Sequence, residues 1–210
     1  MGAVRQFQLS TPRKKRDIGR APTVQLADPV FNQPLYTVER HGDSEVAMVY
    51  KVEMRDGQSE VLKDDVAKGE CVGAVKAAEA LGGSTQFMFG NPDRDLDTQW
   101  TQVTKQSRFT RINDFVVRIP DPVGKPAELH WKHTKDVGGL LQRLDTLNMK
   151  LVDESSGDIV ARFVHKPSIW VMEGVFEMHE DLGEEWDLQV FLSCLAVLKY
   201  NGLFFNLNVL

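Results

Sequence analysis

The stretch LQVFLSCLAVL, residues 188–198, carries no charged side chain, and Gln189 and Ser193 are its only polar ones. At about 100° per residue, Val190, Phe191, Leu192, Leu195, Val197 and Leu198 cover every side of a helix. A helix without a polar stripe needs either a protein core or a bilayer around it. Spanning a bilayer takes about 20 predominantly apolar residues, whereas runs of about 10–14 are more often buried core helices. A window of that length brings in Lys199, Asn201, Gly202 and Asn206. A Lys near mid-span costs about 2.5–3.5 kcal/mol on insertion scales. The core reading prevails.

The flanks place the ends of this helix at about residues 183–200. Asp181 is expected as the N-cap, with Glu184 completing an Asp version of the capping box. Glu184, Glu185 and Asp187 suit the positive end of the helix dipole, and Lys199 suits the negative end. Asn201-Gly202 is a stop signal. Beyond it, Phe205, Leu207 and Val209 alternate with Asn206 and Asn208, as in a closing strand.

Upstream, from residue 35 to about 180, the pattern is period two or short apolar runs broken by turn residues, which predicts about ten to twelve short strands. Leu35–Glu39, Val46–Met54, Thr85–Phe89, Thr98–Thr104, Arg108–Ile112, Phe115–Ile119 and Glu128–His133 read this way. Met149–Val152 and Ile159–His165 form the clearest hairpin, joined through Glu154-Ser155-Ser156-Gly157-Asp158. Ile169–Met172 and Val175–His179 follow. Cys71–Ala80 is ambiguous between helix and strand because of its alanines. A β-rich chain ending in a helix with no polar face implies that the sheet wraps around the helix.

The chain has 210 residues, 42% hydrophobic and 26% charged, with a net charge of −5. That is an ordinary balance for a folded domain with a substantial core. Within residues 1–25, Arg5, Arg13, Lys14, Lys15, Arg16 and Arg20 face Asp17 alone, so this segment carries +5 and the remainder −10. Four of the nine prolines fall in residues 1–34. Residues 1–25 are therefore expected to be a disordered basic arm, with the domain running over 26–210. A bulk-acidic protein is a poor general binder of nucleic acid, which is not expected as a partner. The two cysteines, Cys71 and Cys194, and the lack of an apolar leader segment or an Asn-x-Ser/Thr acceptor point to the cytoplasm or nucleus.

Local residues add a resemblance. Phe176-Glu177-Met178 resembles the Phe-x-Met strand preceding the last helix of tubby domains, and Leu188-Gln189-Val190-Phe191 resembles the Leu-Gln-Ala-Phe that opens that helix. The hairpin from Leu151 to Ala161 looks like the strand–turn–strand of the phospholipid scramblase and LURP-one-related branches. These matches cover about residues 147–205, and from 35 to 146 the likeness is architectural. The Pro- and Cys-rich N-terminal region of scramblases is not matched, and no tubby-type Lys/Arg cluster aligns residue by residue. Membership of the tubby C-terminal-like superfamily implies a closed antiparallel β-barrel of about twelve strands threaded by the helix. It also implies recognition of anionic phospholipid headgroups. A scramblase-like membrane protein is a weaker reading, because it requires the last helix to insert.

Lys105, Arg108, Arg111 and Arg118, interleaved with Trp100, Phe109 and Phe115, form the most basic stretch of the folded part. Arg presents a fixed fork of donors to phosphate, so these four are the candidate anion-binding residues. Solvated strand faces are the competing reading. Arg13, Lys14, Lys15 and Arg16 read as a membrane-surface or nuclear-import arm, or as a plain soluble tail.

Other constellations fall short of a site. His130 and His133, three apart in a strand, face opposite sides and cannot share a metal, so they read as surface or strand-end histidines. Asp93-Arg94-Asp95-Leu96-Asp97 opens like a calcium loop, but Thr98 and Thr104 stand where an EF-hand needs Gly and Glu. Cys194 lies in the apolar helix, where burial makes a thiol inert. No nucleophile elbow, dinucleotide fingerprint or P-loop is present. The expectation is a non-catalytic, monomeric binding module without metal or cofactor, recognising anionic phospholipid at a membrane surface. The alternative is a soluble protein–protein interaction or regulatory factor, with the arm as an import signal.

Overall fold

The computed structural model describes residues 4–10, 24–28, 30, 33–40, 46–52, 68–77, 84–94, 99–106, 114–120, 126–135, 147–166, 173–179 and 182–201. In chain order the first six strands are β1 (Arg5–Ser10), β2 (Val24–Ala27), β3 (Pro34–Arg40), β4 (Ala47–Val52), β5 (Lys68–Ala77) and β6 (Ser84–Phe89). The next six are β7 (Thr101–Lys105), β8 (Phe115–Pro120), β9 (Pro126–His133), β10 (Met149–Asp153), β11 (Ile159–Lys166) and β12 (Glu173–Met178), and α1 (Glu184–Tyr200) follows. Each strand pairs antiparallel with its sequence neighbours, and β1 closes the ring by pairing with both β2 and β12. The chain is thus mainly β, a closed twelve-stranded antiparallel barrel around an apolar C-terminal helix.

The helix is about 25 Å long at 1.5 Å per residue, and every side chain from Leu188 to Leu198 is buried. Phe87, Phe115, Trp131, Phe163 and Phe176 share its core. Both polar residues of the run are accounted for. The Ser193 hydroxyl donates to the Val190 carbonyl at 2.7 Å and accepts the Trp131 indole N–H at 2.9 Å. The Gln189 amide reaches the Glu185 carboxylate at 3.5 Å. Among the described residues no helix is long and apolar enough to cross a membrane.

Two local expectations need correction. Arg5–Ser10, placed by sequence in a disordered arm, is the strand that closes the barrel. Its Phe7 and Leu9 face inward while Gln6 and Gln8 face outward, and it runs in register with β12 from Arg5↔Met178 to Ser10↔Glu173. Val24–Ala27 is likewise a strand. Secondly, α1 starts after Gly183 at φ 101° with no side-chain cap bond, and Glu184 is engaged with Lys51 instead of closing a capping box. The expected cap, Asp181, lies outside the described residues. The segment Cys71–Ala80, ambiguous by sequence, is strand within β5 as far as Ala77, and 78–80 lie outside the described residues. The expected strands at 108–112, 169–172 and 205–209 also lie outside the described residues.

The helix is not centred in the barrel. It runs closest to β5 and β6, with β7 and β8 next. Gly73 permits this approach: a Cβ there would stand 2.8 and 2.9 Å from the Leu192 methyls and 3.0 Å from the Met88 carbonyl. Gly73→Ala is expected to cost about 1–3 kcal/mol, the range for overpacking a closed core. Urea denaturation of the full chain measures it, and an unchanged midpoint would show that the helix does not depend on that contact.

Candidate functional site

A helix pressed against β5 and β6 leaves the opposite sector of the barrel unfilled. There a cavity of about 280 Å³ opens beside the first turns of α1. Its walls come from the inward faces of β1, β2, β3, β4 and β12, including Phe7, Leu26, Phe176 and Met178, and from Leu188 and Phe191 of the helix. Phe176 meets Phe191 edge-on, with ring centroids 5.5 Å apart.

Charged groups stand at the cavity's rim. The Arg5 guanidinium grips Asp187 with two contacts, Nη1 to Oδ2 at 2.6 Å and Nη2 to Oδ1 at 2.9 Å. Lys51 Nζ donates to Glu184 Oε1 at 2.5 Å, and the Tyr36 hydroxyl donates to the same oxygen at 3.3 Å. These contacts fasten the first turn of α1 to β1, β3 and β4. The two ion pairs differ in strength. Arg5 and Asp187 are 35% and 15% exposed and bidentate, whereas Lys51 and Glu184 are 51% and 65% exposed. An exposed pair of that kind contributes about 0.2–1 kcal/mol and exchanges partners readily. Burial, then the Glu184 carboxylate, raises the Tyr36 hydroxyl above its ordinary range. The Lys51 hydrogen bond lowers the Glu184 carboxyl.

Strand direction sorts the remaining charges. Odd-numbered strands begin at the cavity end and even-numbered strands finish there. The interstrand connections tethered at that end, with the link from β12 to α1, hold fourteen Asp and Glu against four Lys and Arg, a net of −10. Those tethered at the opposite end hold nine Lys and Arg against seven Asp and Glu, a net of +2. By sequence, then, the connections tethered at the cavity end are strongly acidic and those tethered at the far end slightly basic.

The candidate residues divide accordingly. Lys105 ends β7 at the basic pole, on the face it shares with the buried Val103. Arg108 and Arg111, and likewise Arg13, Lys14, Lys15 and Arg16, lie outside the described residues. The chain leaves for them at Lys105 and at Ser10 and returns at Phe115 and Val24, all strand ends at the basic pole. Arg118 stands apart, on the outer wall three residues along β8 from Phe115, where its guanidinium pairs with Glu128 at 2.7 Å.

The other sequence candidates are structural. His130 and His133 lie on opposite faces of β9, as expected, but His130 is not a surface residue. It is buried between Glu128 at 3.4 Å and Glu154 at 3.6 Å, and Lys132 pairs with Glu154 at 3.2 Å. Asn91 organises the turn ahead of Asp93 by accepting the Asp93 and Arg94 amides, and 95–98 lie outside the described residues. Both cysteines are free and buried, and burial raises both thiols. Sequence reading missed Arg5, Tyr36 and Lys51. They sit at alternating inward positions of strands, where a charge at the end of an apolar face was the available signal.

Because Glu184's carboxyl titrates lower in the folded chain than in the unfolded one, its contribution is present above the ordinary carboxylate range and is lost as pH falls through the folded value. Glu184→Gln is therefore expected to destabilise the chain by about 0.2–1 kcal/mol at pH 7, a gap that narrows as pH falls through and below the ordinary carboxylate range. Urea denaturation of both proteins across that range checks it. No family model matches the chain, and comparison with curated proteins gives no match. Among solved structures the chain is similar to a protein from Arabidopsis thaliana, at 11% identity over 91% of this chain and 90% of that one, with a TM-score of 0.45.

Proposed function

We propose that this chain is a non-catalytic binding module that meets anionic phospholipid headgroups at a membrane surface with its basic pole. The observation carrying this reading is the separation of charge along the barrel axis, −10 in the connections at one end and +2 at the other. Near an anionic surface such a distribution is oriented, because the acidic pole is repelled while the basic pole is attracted. Lys105 and the connections holding Arg108, Arg111 and residues 13–16 are all tethered at the attracted end. The resemblance to tubby domains supports the same ligand class. Arg118 drops out of the proposed set, since Glu128 neutralises it on the outer wall. The module needs no metal or cofactor in this role.

Removing residues 1–20 is not a usable test, because it takes β1 out of the barrel. Four substitutions, R13A, K14A, K15A and R16A, remove the charge and keep the strand. The full chain is expected to co-sediment with vesicles containing phosphatidylserine or a phosphoinositide, and not with pure phosphatidylcholine, at physiological salt. At about 1 kcal/mol per cation near the surface, the fourfold variant is expected to lose roughly two to three orders of magnitude in vesicle affinity. Equal binding to neutral and anionic vesicles, or to neither, overturns the proposal. Loss of nuclear accumulation by the same variant would favour the soluble regulatory reading.

A further inference from the structure

The cavity lies at the pole opposite the proposed membrane contact, and its surroundings describe a different ligand. Apolar side chains line it, so a hydrocarbon group gains by entering. An apolar cavity of about 150 Å³ holds a benzene ring. One of about 280 Å³ therefore has room for a single hydrocarbon arm of roughly ten carbons and not for two acyl chains. Three exposed apolar residues lie in segments at the same end of the barrel. Val4 precedes β1, Leu182 precedes α1, and Val30, 79% exposed, lies in the connection between β2 and β3.

Charge decides the head of the ligand. The connections at this end carry −10, and the first turn of α1 adds Glu184, Glu185 and Asp187. Arg5 and Lys51 pair with two of these carboxylates, and the half-charge of a helix N-terminus does not offset the third. This pole attracts cations and repels anions. A cation already occupies its most exchangeable position: Lys51, itself a hydrocarbon stem ending in an ammonium, lines the cavity and sets its Nζ 2.5 Å from Glu184. The side chain shows in miniature what the site accepts.

We propose that the mouth of the barrel binds a small amphiphilic amine, with one hydrocarbon arm in the cavity and its ammonium on Glu184 in place of that of Lys51. Lys51 is then a built-in competitor. Its exposed pair with Glu184 opens, the ligand's ammonium takes the carboxylate, and the Lys51 head turns into solvent. The tighter Arg5–Asp187 pair holds the first turn of α1 in place throughout.

Calorimetric titration of the full chain with hexylammonium, decylammonium, decanoate and decanol, each kept below its micellar concentration, tests this. Affinity is expected to rise roughly fourfold per methylene from hexylammonium to decylammonium, with decanoate and decanol at least tenfold weaker than decylammonium. Lys51→Met is expected to tighten decylammonium binding severalfold by removing the competitor, and Glu184→Gln to weaken it. Both residues are at the exposed rim, and neither change is expected to alter binding to anionic vesicles. Equal affinity for amine, alcohol and carboxylate, no gain with chain length, absence of binding, or weaker binding by the Lys51→Met chain would each overturn the proposal.

Discussion

A helix that is apolar on every side, and too short to cross a bilayer, has to be enclosed by protein. That constraint organises this molecule. Leu188 to Leu198 present no face that water could cover, so the surrounding sheet must close completely. An open sheet would leave part of the helix wet and two strand edges unpaired. Closure in turn requires the chain's first described strand. β1 joins β2 to β12, so the two ends of the described chain are locked into one cooperative unit. The single hydroxyl between Leu188 and Leu198, that of Ser193, is consistent with this enclosure, because Trp131 on the barrel wall donates to it.

Much of this architecture was legible in the residues. The uncharged run gave the helix, and alternation gave most strands within a residue or two. β5 resisted because several of its positions are buried on both sides of the sheet. Val75 belongs to the main core, while Cys71 and Ala74 pack with Met48 in a second cluster on the outer face. Two-sided burial erases alternation and leaves a small-residue run that also suits a helix. β1 was missed for a different reason. Arg5 to Ser10 alternates well, but the charge run at 13–16 and the nearby prolines dominated the window. A six-residue strand needs long-range pairing to be recognised, and β12 is more than 160 residues away.

The candidate sites were less legible because both are products of topology. Cations scattered from residue 13 to residue 111 fall in connections tethered at one end only because strand directions alternate around a closed ring. The same alternation tethers at the other end connections that hold fourteen acidic residues in sequence, which no local sequence window shows as a group. The cavity is more remote still from sequence. Gly73 leaves room for Leu192 to come close to β5, while space remains against Phe7, Leu26 and Met178. Helix and barrel together thus produce a filled side that stabilises the fold and an unfilled side available for binding.

The central claim is that the helix is enclosed and opens only with the whole barrel. Native-state amide hydrogen exchange measures this directly. Amides from Val190 to Leu198 are expected to exchange with a free energy equal to that of global urea unfolding. Exchange of those amides at a markedly lower free energy, comparable to that of the exposed turn at 154–158, would contradict the account.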